Sequence, residues 1–332
     1  MLQSVRTMEQ NAIFHIRTES DFLTQALRIF KFQYKNNPIY QSFCSHLNVN
    51  PTLVKSLDQI PFLPIELFKS KNIVASTKQP EITFTSSGTT GNETSKHFVT
   101  DLRLYEQSYL KAFNHFYGNI ENYCVLALLP SYLERTGSSL IYMVEDLIAK
   151  SKHPNSGFFL NDYSRLHDLL LKLQQTKTKI LIIGVSFALL EFTEQYRLSL
   201  QNTIIMETGG MKGRRKEIVR QELHQLLSDG FGVPEIHSEY GMTELLSQAY
   251  SKGNGVFDCP SWMKILIRDT EDPLSYLKAG KSGGINVIDL ANINSCSFIA
   301  TQDLGRFRKD GTFEIIGRFD NSDIRGCNLM VL

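Results

Sequence analysis

Short apolar runs rich in β-branched residues alternate with longer amphipathic stretches from residue 81 to residue 305. The runs that predict strands are EITF, YCVLALLP, TKILIIGV, NTIIMETGG, GINVIDL and SFIATQDLG. The stretches with helical spacing of apolar residues are LRLYEQSYLKAFNHFYG, SRLHDLLLKLQQ and MKGRRKEIVRQELHQLLSDG. Strands and helices in alternation predict an α/β fold whose core sheet is largely parallel. Because ligands of such sheets bind beyond the carboxyl ends of the strands, functional residues are expected there.

The first 75 residues have a different pattern. The stretch DFLTQALRIFKFQYKNN places apolar residues at helical intervals, and the proline-punctuated stretch IPFLPIELFKS follows it. We therefore expect a mainly helical N-terminal region, residues 1–75, that packs on the α/β core.

The charge balance argues against several classes of partner. The chain of 332 residues has 35 basic and 34 acidic side chains, so no basic surface for nucleic acid or for an anionic membrane is expected.

The longest uncharged apolar run, residues 180–190, is far shorter than the roughly 20 residues that a membrane span requires. The N-terminal residues have no apolar core of a secretory signal. We expect a soluble, cytoplasmic protein that binds no nucleic acid.

The cysteines are scattered, odd in number and without a Cys-x-x-Cys pair. This pattern argues against a disulfide framework and against a structural zinc site, and it is typical of a reducing compartment. The five residues are Cys44, Cys124, Cys259, Cys296 and Cys327.

Residues 84–91 read FTSSGTTG and continue a predicted strand directly. We call residues 85–91 the hydroxyl loop. Its glycines permit backbone conformations that turn amide N–H groups inward, and its Ser and Thr hydroxyls add donors, so the loop can cradle a phosphate. It is not a Walker A loop, because no Gly-Lys-Ser/Thr follows. By itself the stretch also fits a solvent-facing turn.

Three further motifs follow in order: HSEYGMTE at 237–244, ATQDLGRF at 300–307 and GRFDNSDIRG at 317–326. Together with the hydroxyl loop, their order and spacing resemble the adenylate-forming superfamily of acyl- and aryl-CoA ligases, over residues 60–327. The resemblance implies the core fold of that superfamily, with mixed, largely parallel sheets flanked by helices. It also implies a reaction in which ATP and a carboxylic acid form acyl-AMP and pyrophosphate.

The resemblance assigns one set of residues to the phosphates of ATP. The hydroxyl loop would hold them through Ser86, Ser87, Gly88, Thr89, Thr90 and Gly91. Lys96 would assist, although it comes later than the lysine of the family's pattern and no proline precedes it. Thr243 would reach the α-phosphate, and Glu244 would bind Mg²⁺ that bridges phosphate oxygens. From the residues alone, Glu244 also fits an exposed acid in the first turn of a helix.

A second set is assigned to the nucleoside. By resemblance it comprises Gly209, Gly210, Tyr240, Gly241, Asp303 and Arg318. The ring of Tyr240 would stack on adenine, the glycine pair at 209–210 would cover the other face, and Asp303 would accept the ribose hydroxyls. From the residues alone, Tyr240 also fits a core tyrosine with a satisfied hydroxyl, and the glycine pair a strand-to-helix turn. Residues 303–317 also read as a β-hairpin with KDGT at its tip.

The resemblance also sets an expectation for the C-terminus. Members of the superfamily carry a mobile lid domain with a lysine after a hinge aspartate, which corresponds to Asp320. The chain ends at residue 332, so the lid is expected to be truncated. Three parts are then predicted: the N-terminal helical region (residues 1–75), the adenylate-forming core (76–316), and a hinge remnant with a C-terminal tail (317–332).

One branch of the superfamily has this shape, the acyl-protein synthetases of the bacterial luminescence fatty acid reductase. They activate a fatty acid as acyl-AMP and transfer it to a cysteine near their own C-terminus, from which a reductase partner takes it. Cys327 matches that cysteine, and Arg325 would favour its thiolate form. Residues 129–148 are also similar to this branch. The resemblance implies an ATP-dependent acyl-protein synthetase with ATP and Mg²⁺ as cofactors, acting on a fatty or other carboxylic acid.

Two other functions stay open. One is an acyl- or aryl-CoA ligase of the phenylacetate-CoA ligase type, which would use coenzyme A as the acceptor. The other is a nucleotide-binding subunit without turnover. Cys327 also fits a small apolar residue near a hydrophobic chain end.

Overall fold

The structure, a computed structural model, describes residues 11–86, 94–129, 137–209 and 218–319. Most of its strands form one large sheet. The strands are β1 (Leu63–Pro64), β2 (Ile82–Thr85), β3 (Lys96–Val99), β4 (Tyr123–Leu128), β5 (Gly157–Phe158), β6 (Lys179–Val185), β7 (Thr203–Thr208), β8 (His237–Tyr240), β9 (Ala249–Ser251), β10 (Val256–Asp258), β11 (Met263–Arg268), β12 (Ser282–Asp289), β13 (Phe298–Phe307) and β14 (Phe313–Arg318).

The strand order in the large sheet is β11-β12-β13-β14-β10-β9-β8-β7-β6-β4-β5, and β1 pairs with β13. The α-helices are α1 (Glu19–Asn36), α2 (Pro38–His46), α3 (Leu67–Ser70), α4 (Leu102–Tyr117), α5 (Ser139–Ser151), α6 (Tyr163–Gln174), α7 (Ser186–Gln195) and α8 (Arg220–Phe231). Short 3-10 turns lie at Ala12–His15, Leu57–Gln59, Ile120–Asn122 and Leu290–Asn292.

Strands β5, β4, β6, β7 and β8 are parallel and form one half of the sheet. Every residue of β4 is buried, as is every residue of β6 after its first. A parallel sheet covered on both faces favours such continuous Val, Ile and Leu runs. Helix α5 packs on β4, and α7 packs on β6 and β7. The carboxyl ends of these strands lie along one edge, at Leu128, Val185, Thr208 and Tyr240.

From β8 the sheet continues antiparallel through β9, β10, β14, β13 and β12 to β11. The sheet is therefore mixed, as expected, with the parallel pairing concentrated in the strands from β4 to β8. The predicted hairpin at 303–317 is confirmed as the β13–β14 pair. At its tip Gly311 has a φ of +90°, and the Arg308 N–H donates to the carbonyl of Thr312.

The N-terminal residues pack against the antiparallel half. Gln33 on α1 donates to the carbonyls of Asn292 and Ile293 and accepts from the Ser297 N–H, and all these groups are buried. Helix α1 begins at a capping box, in which Thr18 and Asp21 each bond the other's backbone N–H. The predicted helical character holds to residue 46; after it come only short turns, β1 and the single turn of α3.

The long helix predicted at 211–230 is shorter than expected in the described residues. Val219 is extended, with a φ of −65° and a ψ of 146°, and α8 begins at Arg220. Its N-cap position carries no side-chain acceptor, so local sequence signals do not mark this start. Residues 211–217 lie outside the described residues.

Strands β2 and β3 form a separate antiparallel hairpin that brackets the hydroxyl loop. In the register of the pair, Thr85 lies opposite Lys96. No helix among the described residues has the length and apolar character needed to cross a bilayer.

Candidate active site

The segment that leaves the carboxyl end of β8 collects contacts from three distant parts of the chain. We call residues 241–248 the site turn. It contains the predicted residues Gly241, Thr243 and Glu244 and leads directly into β9. Its neighbours are the β13–β14 hairpin, the β2–β3 hairpin and the 3-10 turn at 290–292.

Tyr240 joins β8 to the β13–β14 hairpin. Its hydroxyl donates to Oδ2 of Asp303 at 2.7 Å, and Oδ1 of Asp303 lies 3.6 Å from Nε of Arg318. Asp303 and Arg318 are register partners on β13 and β14. Burial and then the neighbouring Asp303 carboxylate raise the pKa of Tyr240 well above its usual value, so the hydroxyl keeps its proton and donates. Three of the predicted nucleoside residues are therefore brought together.

The ring of Tyr240 is also part of the core. It is 8% exposed and meets the rings of Phe257 and Phe313 edge-on, at centroid distances of 6.2 and 6.0 Å. This is the core tyrosine with a satisfied hydroxyl that the residues alone allowed. The aromatic contacts and the bond to Asp303 together fix the orientation of the ring.

Glu244 is a buried acid, 6% exposed, and no helix follows it. The alternative of an exposed acid in a first helical turn is therefore wrong. Burial raises the pKa of the Glu244 carboxyl, a hydrogen bond with Ser95 opposes this, and Arg318 and Asp303 act on it through space in opposite directions. Glu244 therefore lies beside Ser95, the residue before β3. It is also close enough to Asp303 and Arg318 for their charges to shift its pKa.

Asp289, the last residue of β12, holds the site turn through hydrogen bonds. This carboxylate is fully buried and accepts from the N–H groups of Leu246, Ser247 and Ala291, and from the Ser247 hydroxyl at 2.5 Å. Burial raises the pKa of Asp289, against the effect of these hydrogen bonds. Four donors on one buried carboxylate leave the turn little freedom to move.

His97 and Asn292 hold the backbone carbonyl groups of Thr243 and Glu244 in the site turn. Nδ1 of His97 lies 2.8 Å from the carbonyl oxygen of Thr243, and the Asn292 amide nitrogen donates to the carbonyl of Glu244 at 2.8 Å. Thr243 itself is partly exposed. Its backbone is therefore fixed while its side chain remains accessible.

The base of the hydroxyl loop is closed by two hydrogen bonds. The Ser86 N–H donates to the carbonyl of Ser95, and the Ser95 N–H donates to Oγ of Ser86 at 2.9 Å. Lys96 is exposed on β3, next to this closure. The predicted residues Ser87, Gly88, Thr89, Thr90 and Gly91 lie outside the described residues, as do Gly210 and Cys327.

Gly209 ends β7 with a φ of +71°, a conformation that favours glycine. Its carbonyl accepts from the Ser186 hydroxyl at 2.8 Å, and Ser186 also contacts the buried Glu207 carboxylate at 3.2 Å. The α8 residues His224 and Arg220 pair with the same carboxylate, at 3.6 and 3.9 Å. The exit from β7 is therefore tied to both neighbouring helices.

Gly241 has close neighbours on both sides. A Cβ at this position would lie 2.4 Å from Oε1 of Glu239 and 3.2 Å from Cγ of Gln248. Glu239 accepts from the Thr208 hydroxyl at 2.5 Å, and burial raises its pKa to about 7. A larger residue at position 241 would therefore have to displace the Glu239 carboxylate.

Among the described residues, no group of three or more His, Cys, Asp and Glu side chains could hold a metal ion. A single buried carboxylate, Glu244, instead fits Mg²⁺ of the kind that keeps several waters and takes its other ligands from substrate phosphates.

The sequence model of the family described as acyl-protein synthetase, LuxE, matches residues 15–123, about a third of the chain. No curated protein matches in sequence. The solved structure of 2-hydroxyisobutyryl-CoA ligase in an open conformation with 2-HIB-AMP and CoA is similar, with a TM-score of 0.68 and 11% identity over 91% of this chain and 70% of that one.

ATP-bound MatB from Rhodopseudomonas palustris is similar with a TM-score of 0.54 and 19% identity, over 74% of this chain and 48% of the MatB chain. The fold is that of an adenylate-forming ligase core. The match of residues 15–123 to the acyl-protein synthetase model and the shared fold agree with the resemblance drawn from the motifs, of which only the hydroxyl loop lies within residues 15–123. At these identities the solved structures establish the fold alone, and the chain spans about half of MatB.

The candidate site has supporting residues that sequence reasoning missed. They are Ser95, His97, Asp289 and Asn292, and all are buried. Each is a polar residue inside or beside an apolar run, where sequence alone gives no sign of its partner. A polar residue that interrupts a predicted buried strand, as Asp289 does in GINVIDL, is the one usable signal, because buried polar groups need hydrogen-bond partners.

Proposed function

We propose that the protein activates a carboxylic acid, with a fatty acid as the substrate class, by reaction with ATP. The products are acyl-AMP and pyrophosphate, and the acyl group then passes to Cys327. Two observations support this: the match of residues 15–123 to the acyl-protein synthetase family and the fold of an adenylate-forming core.

The observation that carries the proposal is that described residues from, or next to, each of the four motifs lie close together around the carboxyl end of β8. Tyr240 contacts Asp303, Asp303 faces Arg318, and the hydroxyl-loop hairpin contacts Glu244 through Ser95. These contacts join segments that are far apart in sequence. Each motif by itself also fits a structural role as a surface turn, a hairpin or a core tyrosine. Their contacts with one another at the carboxyl edge of the sheet fit a ligand site.

In the proposed adenylation, a carboxylate oxygen of the substrate attacks the α-phosphorus of ATP. The bond to the bridging oxygen breaks, and pyrophosphate leaves with the electron pair. The chain would act by positioning and by neutralising charge. The hydroxyl loop would donate to the phosphate oxygens, and Thr243 would donate to the α-phosphate. Asp303 would accept the ribose hydroxyls, because a carboxylate has about four acceptor sites and Tyr240 occupies one of them.

Mg²⁺, when bound, would neutralise phosphate charge, and Glu244 would be its protein ligand. Burial is the main cause of the raised pKa of Glu244, and the charge of Arg318 only partly offsets it. A bound cation would favour its ionised form.

In the proposed transfer, the thiolate of Cys327 attacks the acyl carbon of acyl-AMP. A C–S bond forms, the C–O bond to AMP breaks, and the thiol proton goes to solvent. The described cysteines are poorly suited to this role. Cys44, Cys124 and Cys296 are buried, and burial raises their pKa to about 12, about 11 and about 12.

Mass spectrometry of the intact chain after turnover tests the proposal. ATP, Mg²⁺ and a panel of carboxylic acids are supplied, and we expect the mass to increase by one acyl group that hydroxylamine removes. The label should persist in the matched control Cys259→Ala, whose cysteine is only partly buried, and disappear in Cys327→Ala. A label that survives in Cys327→Ala contradicts the transfer step.

The same experiment separates the alternatives. Soluble acyl-CoA with an unlabelled chain supports a CoA ligase of the phenylacetate-CoA ligase type. ATP binding without carboxylate-dependent ATP–pyrophosphate exchange supports a nucleotide-binding subunit. If the acyl label forms on Cys327, we expect a reductase partner that accepts the acyl group.

A further inference from the structure

A buried polar connection joins the return strand of the hydroxyl loop to the site turn. His97 lies on β3 immediately after Lys96 and is 1% exposed. Its Nδ1 lies 2.8 Å from the carbonyl oxygen of Thr243, which is 146 residues away in sequence, and its Nε2 lies 3.0 Å from Oδ1 of Asn292. The connection therefore links two of the four motifs through side chains that belong to neither.

Asn292 extends the connection to the next residue of the site turn. Its amide nitrogen donates to the carbonyls of Glu244 and Cys296, at 2.8 and 2.9 Å. Because carbonyl oxygens only accept, the NH₂ group must face them, and Oδ1 must then face His97. Two consecutive carbonyls, those of Thr243 and Glu244, are thus held by side chains from outside the turn.

The direction of the bond to Thr243 follows from the chemistry of the ring. Burial lowers the pKa of His97 to about 4, against the effect of its two hydrogen-bond contacts, so the ring carries one proton at neutral pH. The Thr243 carbonyl and Oδ1 of Asn292 both only accept, so the single ring proton can bond only one of them. We assign it to Nδ1, whose contact is the shorter at 2.8 Å against 3.0 Å, and Nε2 then makes no hydrogen bond to Asn292 while the ring is neutral.

A second contact runs beside the first. Ser95, two residues before His97, hydrogen-bonds the carboxyl group of Glu244 and closes the base of the hydroxyl loop through its backbone. Ser95, just before β3, and His97, within it, therefore fix the spacing between this strand and the Thr243–Glu244 pair. A ligand that touches both segments would be sensitive to that spacing, since small misplacements at a reacting centre reduce rate strongly.

We propose that His97 is a positioning residue, whose Nδ1–H bond to the Thr243 carbonyl sets the distance between β3 and the Thr243–Glu244 pair. The inference rests on the proposed function, in which the loop that leads into β3 and the Thr243–Glu244 pair hold the phosphates of one ATP molecule. His97 would touch neither ATP nor the acid. It would act through the backbone of Thr243.

A pure packing role makes a different demand on the residue. The ring of His97 meets Phe68 edge-on at 5.9 Å, so the site also needs its shape filled. Packing requires volume, whereas positioning requires a donor at Nδ1. Substitutions that keep one property and remove the other distinguish the two roles.

Three variants of His97 form the test. His97→Asn keeps an N–H near the place of Nδ1, His97→Gln moves the N–H toward the place of Nε2, and His97→Leu keeps volume without a donor. The matched control is His237→Leu, which removes a partly buried histidine at the amino end of β8, where it contacts Tyr117. For each, Tm, kcat and KM for ATP–pyrophosphate exchange, and the half-saturating Mg²⁺ concentration are measured well below the lowest Tm.

We expect His97→Leu and His97→Gln to lose roughly ten- to hundredfold in kcat and to need more Mg²⁺, because the Thr243–Glu244 pair moves. His97→Asn should stay within about threefold of wild type, and His237→Leu should lower Tm without these changes. Equal losses in His97→Asn and His97→Leu, or a wild-type kcat in His97→Gln, overturn the inference.

A double-mutant cycle with Thr243→Ala provides a readout that does not depend on folding. Thr243→Ala keeps the backbone carbonyl that His97 contacts and removes the hydroxyl that it would position, so His97→Leu should cost less in kcat in the Thr243→Ala background than in wild type, while its higher Mg²⁺ requirement persists through Glu244. Fully additive losses in kcat overturn the inference while the proposed function stands. A wild-type chain that shows no exchange with any acid overturns the proposed function, and the inference with it.

Discussion

The parallel and antiparallel halves of the large sheet differ in what they bury. Strands β4 and β6 are buried almost throughout and consist mainly of apolar residues. Around β12 and β13 the buried residues include Asp289, Asn292 and Thr301, each with hydrogen bonds that reach other segments. The candidate site lies where the two halves meet, at β8.

This difference separates two tasks. Strands β4 and β6 support the edge on which Gly209 and Tyr240 lie through close apolar packing, whereas β7 and β8 also bury Glu207, Thr208 and Ser238. Asp289 and Asn292 of the antiparallel half, together with His97 of the separate β2–β3 hairpin, orient the site turn. Apolar packing tolerates substitution of similar volume, but a buried polar network fails when one member is removed. The two halves should therefore respond differently to mutation.

The largest effect is expected for Asp289→Ala. It leaves the buried N–H groups of Leu246, Ser247 and Ala291 without their acceptor, and we expect a loss of about 3–5 kcal/mol in the free energy of unfolding. Urea unfolding measures this loss. Asp289→Asn keeps one acceptor oxygen and should lose less. Exchange activity should fall in both, and unchanged activity in a folded Asp289→Ala would argue that the site turn needs no support.

Ile182→Ala tests the parallel half. This β6 side chain is fully buried, and its truncation should cost about 2–4 kcal/mol through lost burial and a residual cavity. Ile182→Val is the matched control and should cost about 1 kcal/mol. Exchange kcat, measured below the Tm of each variant, should not change. A fall in kcat that exceeds the fall in stability would mean that the parallel half does more than support the edge.

The pH dependence of stability sharpens the comparison at the boundary strand β8. The pKa of Glu239 is raised to about 7 in the folded chain from 4.5, mainly by burial, so the folded state binds more protons between these values. The contribution of Glu239 to the free energy of unfolding is fully present below pH 4.5 and is lost as pH rises through about 7. Glu239→Gln should remove this decline and gain about 1–2 kcal/mol at pH 8, allowing for partial exposure.

Thermal unfolding from pH 5 to pH 8 measures that difference between wild type and variant. The exposed acid Glu271 provides the matched control, and Glu271→Gln should leave the profile unchanged. A slope that persists in Glu239→Gln would assign the decline to another group.

The smallest effect is expected for a surface pair near the start of β4. Lys152 and Glu121 form an ion pair with side chains 74% and 47% exposed. Lys152→Ala should change the free energy of unfolding by less than about 0.5 kcal/mol, because exposed charges are screened and their side chains lose entropy on pairing. A cost comparable to that of Ile182→Ala would invalidate the ranking of buried over exposed contacts.

Much of the fold was predictable because its signals are local. Composition and length predict the strands β4, β6, β7, β12 and β13, and the KDGT tip predicts the β13–β14 hairpin. The pairing partner of each strand is a nonlocal property. The sequence therefore did not show that β8 is followed by an antiparallel half, nor that α8 begins only at Arg220.

The candidate site divides in the same way. Tyr240, Thr243, Glu244, Asp303 and Arg318 were predicted from motifs, and the structure places them around one turn. Their supports were not predicted. His97 follows a lysine in an unremarkable stretch, and Asn292 lies in LANINS, where nothing local indicates that it bonds a residue 48 positions earlier.

By itself the sequence determined the α/β class, the order of the elements and the polar side chains that the four motifs carry. These follow from periodicity and from the chemistry of side chains, which each segment carries alone. Only the tertiary structure decided which buried polar groups meet. Desolvated N–H and C=O groups must find partners, and those partners come from segments that the chain brings together only when it folds.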